Sequence, residues 1–506
     1  MKKLPIGIQT FSEIITENYV YVDKTEFALN LIQQGKYYFL SRPRRFGKSL
    51  FLDTLKEIFS GNKEYFEGLY IYDKYEFEEY PVLKINFGGV RNSVELIEQI
   101  FFTLRHNATK MDITSNSENF SICFADLIRQ AHHKYGKRVV ILIDEYDKPI
   151  LDVIDEPEVS KANLEILKSF YSVIKDNDEY VKFAFITGVT KFAKVSVFSG
   201  LNNLDDLTLD KDFAAIAGYS QNDIETTFKP YLNGVDFDKL KEWYNGYSFN
   251  GEKIYNPFDI LLFISKGLVY DNYWFSTGTQ AFLIKLLKEG NYFIPRLENL
   301  VTGKELVDCF DIENVKLEPI LFQSGYLTID KIEELEFGGF NYHLKHPNKE
   351  VQISFNDILI TYLTGNDTYI PVKSALFQAL KDGDLEKLKD TLNSVFASIP
   401  YNNYVNNTIS NYEGYYASVI YAYIAALGIK VIAEDVTSLG RIDLTIFVAD
   451  KLYILEFKVG SEDALAQIKE KKYEQKYLDC NRVIYLVGIN FDDSEKNISK
   501  FQYEKL

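Results

Sequence analysis

The sequence predicts an α/β protein whose N-terminal part is a parallel β-sheet flanked by helices, and three observations support this. Four short, mostly apolar runs (residues 37–40, 81–87, 139–143 and 181–188) are separated by segments with helical periodicity. A Gly-Lys-Ser tripeptide at residues 47–49 follows the first run, and two acidic residues follow the third. Strands that alternate with helices are typical of parallel sheets, so we expect a sheet with polar residues at the carboxyl ends of its strands.

The tripeptide ends a predicted phosphate-binding P-loop, or Walker A motif. Residues 37–40 are typical of a short buried strand, and the apolar residues from Leu50 to Phe59 recur at helical spacing. In such a strand–loop–helix unit, backbone N–H groups surround the phosphates, Lys48 reaches the β- and γ-phosphate oxygens, and Ser49 binds Mg²⁺. The predicted nucleotide contacts are Arg44, Arg45, Phe46, Gly47, Lys48, Ser49 and Leu50. The usual motif has glycine where this chain has Arg42, so an exposed basic turn is the alternative interpretation.

The second half of the predicted nucleotide site is a Walker B motif. Five apolar residues, 139–143, precede Asp144 and Glu145, as in a strand that is buried on both faces and carries carboxylates at its end. Asp144 is predicted to bind Mg²⁺ and Glu145 to orient the attacking water. In ATPases with an inserted strand and a Walker B glutamate (the ASCE type), a polar residue ending the next strand senses the γ-phosphate. We assign that role to Thr187, with Thr190 and Lys191 as the alternatives.

A second candidate site lies near the C-terminus. Residues 440–446 and 452–459 are typical of strands, and Glu456 and Lys458 share one face of the second of these. Charged residues within an apolar strand are costly unless they are paired or bind a ligand. In restriction-endonuclease-like folds the matching Asp443 and Glu456 ligate Mg²⁺, and the lysine supports the attacking water. Glu413 matches the first acidic residue of such sites and Gln467 a helical glutamine, whereas a solvated strand edge is the alternative.

The motifs together resemble a known family. Its pattern comprises residues 21–25, 42–49, 144–149, 187–192, 243–247 and 255–257. The chain resembles the bacterial AAA-ATPase-like proteins, which typically carry a C-terminal PD-(D/E)XK nuclease-superfamily domain. The resemblance covers nearly the whole chain and implies ATP, Mg²⁺ and, at the nuclease site, Mg²⁺ or Mn²⁺. In this family the loop form with arginine at position 42 is the rule, but the resemblance leaves open how the arginine side chain is accommodated.

Length and pattern predict three parts. The 506 residues divide into a P-loop domain (1–215), a helical middle domain or lid (216–375) and a nuclease-like α/β domain (376–506). A small winged-helix-like unit at the end of the middle domain is an alternative for part of it. The hydrophobic fraction of 46% and the charged fraction of 25% are those of a globular protein.

Charge and cysteine content bear on partners and location. A net charge of −17 argues against avid, non-specific DNA binding, because such binding depends on neutralising phosphates. Cys123, Cys309 and Cys480 have no paired spacing, which is typical of a reducing cytoplasm. We expect no signal peptide and no membrane span, because no apolar run is long enough.

The sequence therefore predicts an ATP-binding and ATP-hydrolysing switch coupled to a metal-dependent DNA endonuclease or exonuclease. The alternative from another class is a nucleotide-gated signalling or scaffold ATPase whose nuclease fold binds nucleic acid or a partner without cleaving it. A motor is less favoured, because Arg138 and Arg296, the candidates for an arginine finger, lack motif context. RNA as the substrate and a homo-oligomeric state stay open.

Overall fold

The computed structural model describes residues 1–114, 117–191, 201, 203–274, 294–303, 305–308, 316–365, 369–400, 413–492 and 494–506. The chain separates into two compact units. The N-terminal unit comprises residues 1–278 and 301–348, and the C-terminal unit comprises residues 279–300 and 349–506. The predicted boundaries at residues 215 and 375 stay a prediction.

The N-terminal unit is built on a five-stranded parallel sheet. Its strands are β1 (Tyr37–Ser41), β2 (Val82–Asn86), β3 (Val139–Asp144), β4 (Val181–Gly188) and β5 (Asp205–Asp206), in the order β2-β3-β4-β1-β5. The apolar runs of β1 and β3 are buried along their whole length, as expected of strands covered by helices on both faces. Because β4 stands between β3 and β1, the sheet has the inserted-strand order of the predicted P-loop fold.

Helices cover the sheet and continue into a largely helical middle region. They are α1 (Phe11–Thr16), α2 (Thr25–Gln34), α3 (Lys48–Phe59), α4 (Ser93–Lys110), α5 (Phe120–Tyr135), α6 (Lys148–Leu151), α7 (Pro157–Asp176), α8 (Gln221–Thr226), α9 (Phe237–Tyr244), α10 (Pro257–Ser265), α11 (Glu305–Asp308) and α12 (Leu317–Ser324). The sequence marks several starts: Asn92 and Asn119 cap α4 and α5, and Ser220 with Asp223 forms a capping box on α8.

Two small antiparallel sheets complete the N-terminal unit. Strands β6 (Asn245–Tyr247) and β7 (Ile254–Tyr255) pair with each other, and β8 (Val301–Thr302), β9 (Thr328–Glu334) and β10 (Phe340–Lys345) form a sheet in the order β8-β10-β9. Helix α12 ends at Gly325, which is in the left-handed conformation (φ 93°), and β9 follows it.

The C-terminal unit is a five-stranded mixed sheet packed with helices. Its helices are α13 (Lys349–Thr364), α14 (Ile370–Asp382), α15 (Leu385–Ala397), α16 (Glu413–Ala425) and α17 (Ala464–Glu470), and its strands are β11 (Lys430–Val436), β12 (Arg441–Val448), β13 (Lys451–Val459), β14 (Val483–Asp492) and β15 (Asn497–Lys505). The strand order is β11-β12-β13-β14-β15, and only β13 and β14 run parallel within this sheet. This is the α/β architecture expected of a restriction-endonuclease-like domain. Within the described parts of the chain, every helix is too short or too polar to cross a bilayer.

Candidate functional site

A cavity of about 340 Å³ opens over the predicted P-loop. Its polar side is formed by loop residues Arg44 to Leu50 together with Glu145 and Lys148. Its remaining wall is formed by residues near the N-terminus and by residues of the middle region. These are Pro5, Gly7, Ile8, Gln9, Tyr219, Pro257, Phe258 and Leu261. One wall therefore offers phosphate-binding groups and the other offers apolar surface, which suits a nucleotide.

The loop reaches this geometry through two residues with positive φ. Gly47 (φ 91°) caps α3, and Arg45 (φ 69°) precedes it. Lys48 Nζ donates to the carbonyl oxygens of Arg42 and Pro43, at 2.9 Å each. Burial lowers the pKa of Lys48, and the carboxylates of Asp144 and other nearby acids partly offset this. The ammonium group is thus held at the loop beside the first N–H groups of α3, which have no partner within the helix.

Arg42 points away from the nucleotide cavity and is completely buried. Its guanidinium donates to the carbonyl oxygens of Ser41 (2.9 Å), Thr208 (2.8 Å) and Phe213 (3.2 Å), and it stacks 4.0 Å above the ring of Phe249. Burial lowers the pKa of Arg42 to about 9, so it stays charged at neutral pH. The arginine therefore ties the P-loop to the segment that follows β5, which explains its accommodation in place of glycine.

The Walker B residues lie where parallel strands end. Asp144 closes β3, and its Oδ1 accepts a 2.6 Å hydrogen bond from Thr187 Oγ1, at the end of the neighbouring β4. Glu145 lines the cavity and has φ 52°, a strained conformation for a non-glycine residue. Burial, and then the charge of Asp144, raise the pKa of Glu145. Glu145 thus reaches the cavity directly, whereas Thr187 contacts Asp144.

The other two sensor candidates are engaged elsewhere. Thr190 donates both its N–H (2.7 Å) and its hydroxyl (2.6 Å) to the buried carboxylate of Asp147. Lys191 Nζ lies 2.6 Å from Asp206 Oδ2. A Cβ on Gly188 would lie 2.4 Å from the ring of Tyr146, so glycine is required at this junction. Residue 192, the last of that motif block, lies outside the described residues.

The second candidate site is the junction of β12, β13 and α16. On β12, Asp443 directly precedes Leu444, which pairs with Leu455 of β13. The Oδ2 atom of Asp443 accepts a 2.8 Å hydrogen bond from the Phe457 N–H. Lys458 Nζ lies 3.2 Å from Glu456 Oε1 and 3.3 Å from Glu413 Oε1. The structure thus brings together the predicted acids of α16, β12 and β13 around one lysine.

Gln467, on α17, completes the arrangement by donating from its Nε2 to Glu456 Oε1. The other carboxylate oxygen of Glu456, Oε2, is buried and has no hydrogen-bond partner among the described residues. Burial raises the pKa of Glu456 to about 8, with Asp443 adding to the shift, and burial raises that of Asp443 to about 6. Burial alone would lower the pKa of Lys458, but Glu456, Glu413 and Asp443 outweigh it and raise the value.

These donors suit a hard divalent cation. Carboxylate oxygens are the ligands that Mg²⁺ prefers, and Mg²⁺ keeps several waters rather than demanding a full protein cage. No cluster of three or more Asp, Glu, His or Cys side chains placed to hold a metal occurs among the described residues. Asp443 and Glu456, whose Oε2 has no hydrogen-bond partner among the described residues, are the side chains that could hold such an ion.

Two family models match the parts of the chain in which these candidate sites lie. Residues 5–198 match the family described as Predicted AAA-ATPase, and residues 411–501 match the PD-(D/E)XK nuclease superfamily. An uncharacterized protein encoded in the vnfD 5′ region of Azotobacter chroococcum is 45% identical over 514 residues, which cover 100% of this chain and 99% of the relative. The chain belongs to the AAA-ATPase-like family with a C-terminal PD-(D/E)XK nuclease-superfamily domain. The family resemblance and the fold class predicted from the sequence are confirmed.

Within this AAA-ATPase-like protein, the two arginine-finger candidates are in different units. Arg138 directly precedes β3, at the end of that strand opposite Asp144. Arg296 lies in a 3₁₀-helix, Ile294–Asn299, which belongs to the C-terminal unit, and its Nε is 3.9 Å from Glu434 Oε2.

Sequence reasoning gave no role to Asp147 or Glu434. Asp147 lies within residues 144–149, one of the family's motif blocks, and this could have pointed to it. No sequence feature pointed to Glu434.

Proposed function

We propose that the protein is an ATP-binding and ATP-hydrolysing switch coupled to a metal-dependent DNA nuclease. The observation that carries the nuclease half is the buried, unpartnered Oε2 of Glu456, next to the Lys458 ammonium and within the electrostatic reach of Asp443. Burying an oxygen acceptor that has no hydrogen-bond donor costs free energy unless a cation binds to it. The ATPase half is supported by the cavity that the P-loop shares with Glu145.

At the nucleotide site, the phosphates would lie at the start of α3. Lys48 would exchange the carbonyl oxygens of Arg42 and Pro43 for β- and γ-phosphate oxygens. Ser49 and Asp144 would hold Mg²⁺, and Glu145 would orient the attacking water. Thr187 keeps the Asp144 carboxylate in place through its 2.6 Å hydrogen bond, so we propose that it acts on the metal site rather than on the phosphate.

At the nuclease site, Asp443 and Glu456 would hold Mg²⁺ or Mn²⁺. The ion, when bound, supplies a Lewis acid and lowers the pKa of a coordinated water. Lys458 would orient the attacking water and stabilise the charge that develops on the scissile phosphate. Gln467 fixes one oxygen of Glu456, and Glu413 fixes the ammonium of Lys458, so both act as positioning residues.

Glu145→Gln is expected to retain ATP binding and to lower the hydrolysis rate by about 100-fold or more, because the neutral amide cannot accept a proton from the attacking water. Binding is measured from the fluorescence of Trp274, whose Nε1 donates to the Arg44 carbonyl in the P-loop, and hydrolysis from phosphate release. The control is Glu158→Gln on the exposed start of α7. Unchanged hydrolysis in Glu145→Gln would remove that residue from the proposed mechanism.

Lys458→Ala is expected to reduce DNA cleavage by about 100-fold or more, since it removes the cation beside the reacting phosphate. Linear and circular DNA are incubated with Mg²⁺ or Mn²⁺, with and without ATP, and RNA is tested in parallel. Lys471→Ala, which removes a partly exposed lysine that lies 3.9 Å from Glu470, is the matched control.

Lys48→Ala tests whether ATP controls the nuclease activity. In the wild-type protein cleavage should respond to ATP, and in Lys48→Ala it should not. Hydrolysis of ATP without cleavage of any nucleic acid would favour the signalling or scaffold alternative, in which the nuclease fold only binds.

A further inference from the structure

A second lysine lines the candidate nucleotide cavity. Lys148 forms part of its wall together with Glu145, in the segment that follows β3, whereas Lys48 begins α3. The side chain of Lys148 is 28% exposed, and its Nζ lies 3.4 Å from Asp152 Oδ2. The cavity therefore has a cation on the segment that carries the predicted water-orienting residue, in addition to the cations of the P-loop.

A tight turn places Glu145 and Lys148 next to each other. The Lys148 N–H donates to the Glu145 carbonyl oxygen at 3.0 Å. The two residues are therefore the first and fourth of a β-turn, in which these Cα atoms lie within about 7 Å of each other. The central residues, Tyr146 and Asp147, are completely buried, whereas the first and fourth both reach the cavity. The turn thus delivers one carboxylate and one ammonium group to the same cavity.

Hydrogen bonds to the loop after β4 hold this turn. The buried Asp147 carboxylate accepts from the N–H (2.7 Å) and from the hydroxyl (2.6 Å) of Thr190. The Tyr146 hydroxyl donates to the Thr190 carbonyl oxygen at 3.0 Å. Because such buried hydrogen bonds are costly to break, they fix the backbone on which they lie. Glu145 and Lys148 therefore extend into the cavity from a fixed turn rather than from a loose surface loop.

The charge of Lys148 acts on Glu145. Burial, and then the charge of Asp144, raise the pKa of Glu145, while the neighbouring cations oppose this shift. Among these cations, Lys148 opposes it more than Lys48 does. The ammonium group of Lys148 is thus close to the carboxylate that would orient the attacking water.

Hydrolysis of ATP needs positive charge in this part of the cavity. The oxygen of water forms a bond to the γ-phosphorus, the bond from that phosphorus to the bridging oxygen of ADP breaks, and the proton of water passes to Glu145. The transition state spreads negative charge over the three equatorial γ-phosphate oxygens, and a cation that binds them accelerates the reaction. Neither Arg138 nor Arg296 is among the described residues that line the cavity.

We propose that Lys148 is a further catalytic residue of the ATPase, whose ammonium group binds the γ-phosphate oxygens and stabilises the charge that develops on them. This inference rests on the proposed ATPase function. Lys48 would reach the β- and γ-phosphates from the P-loop, and Lys148 would reach the γ-phosphate from the side of Glu145. Lys148 donates hydrogen bonds to these oxygens and transfers no proton. The chain thus supplies in cis the cation that an arginine finger supplies in other nucleotide hydrolases.

The test measures hydrolysis and binding separately on the full-length protein with Mg²⁺. Lys148→Ala is expected to lower kcat for ATP hydrolysis by at least about 100-fold, because it removes a charge that acts mainly in the transition state. Its affinity for ADP, which has no γ-phosphate, should equal that of the wild type. Lys148→Arg keeps the charge and should recover part of the rate. Lys168→Ala, which removes a lysine 3.5 Å from Glu165 on α7, is the matched control and should hydrolyse ATP like the wild type.

Binding of ADP together with aluminium fluoride gives a readout that does not depend on turnover. Aluminium fluoride imitates the γ-phosphoryl group in the transition state, so the wild type should bind ADP more tightly in its presence. Lys148→Ala should lose most of this gain. Asp152→Asn removes the ion pair of Lys148 but leaves its ammonium group, so it should keep the gain. Thermal unfolding of each variant verifies that it is folded.

The outcomes distinguish this inference from the function on which it rests. Hydrolysis by Lys148→Ala close to the wild-type rate, or an equal loss of ADP affinity and of kcat, overturns the inference while the ATPase function stands. The same holds if Asp152→Asn loses as much as Lys148→Ala, because the ion pair would then be what matters. Absence of ATP hydrolysis by the wild-type protein overturns the inference and the ATPase function together. Loss of kcat and of the aluminium fluoride gain in Lys148→Ala, with ADP affinity retained, supports the inference.

Discussion

Arg42→Ala is expected to destabilise the N-terminal unit by at least about 3 kcal/mol, because it removes a buried donor from several carbonyl oxygens and opens a cavity. The Arg42 guanidinium donates to the carbonyl groups of Ser41, Thr208 and Phe213, of which the last also accepts from the Ile216 N–H. Urea denaturation followed by tryptophan fluorescence measures the effect. The two tryptophans of the chain, Trp243 and Trp274, both belong to the N-terminal unit, so the signal reports on this unit alone.

Arg42→Gly distinguishes a structural role of position 42 from a role in phosphate binding. This substitution restores the glycine of the usual P-loop, so a role of position 42 in phosphate binding predicts tighter ATP binding. We expect instead a loss of stability at least as large as that of alanine, with no gain in affinity. The control is Arg105→Ala, since Arg105 is exposed on α4 and its guanidinium lies 5.3 Å above the ring of Phe101, a contact worth about 1 kcal/mol or less. Equal stability of Arg42→Gly and wild type would contradict the assignment.

The sheet of the N-terminal unit was predictable because its strands are continuous apolar runs. Such runs mark strands buried on both faces, and polar side chains collect where parallel strands end. Asp144 and Thr187 follow this rule, and their side chains are hydrogen-bonded across the ends of β3 and β4. The alternation of Glu456 and Lys458 in an apolar strand likewise predicted that the two side chains would share a face, and they lie 3.2 Å apart.

What the sequence did not reveal depends on contacts between distant segments. The position of the Arg42 side chain is set by carbonyl groups more than 160 residues away in the sequence. A local sequence pattern carries no information about them. The grouping of Arg296 with Glu434 has the same origin, because one residue comes from an irregular segment and the other from an edge strand. The contacts of Thr190 with Asp147 and of Lys191 with Asp206 are also tertiary, and the local sequence does not predict them.

The stability of the C-terminal unit in EDTA is expected to fall as the pH rises from about 5 to about 8. The pKa of Glu456 is about 8 in the folded protein, above its ordinary value, so at intermediate pH the folded state retains a proton that the unfolded chain releases. Stability is then fully present below the ordinary pKa and is lost as the pH approaches the folded value. The groups facing Glu456 are Asp443, Lys458, Glu413 and Gln467, and the acids among them add to the shift. Hydrogen exchange of the β13 amides measures the change.

Glu456→Gln is expected to remove most of this pH dependence and to make the metal-free unit more stable at pH 8, by an amount of the order of 2 kcal/mol. The same substitution should abolish both cleavage and the stabilisation that Mn²⁺ gives the wild type, because a carboxamide is a poor metal ligand. Glu462→Gln, at an exposed position beyond β13, should change none of these properties. A structural carboxylate would lose stability when replaced, whereas a carboxylate kept for metal binding gains it. Lower stability of Glu456→Gln in EDTA would therefore count against a metal site at this position, even if cleavage were lost.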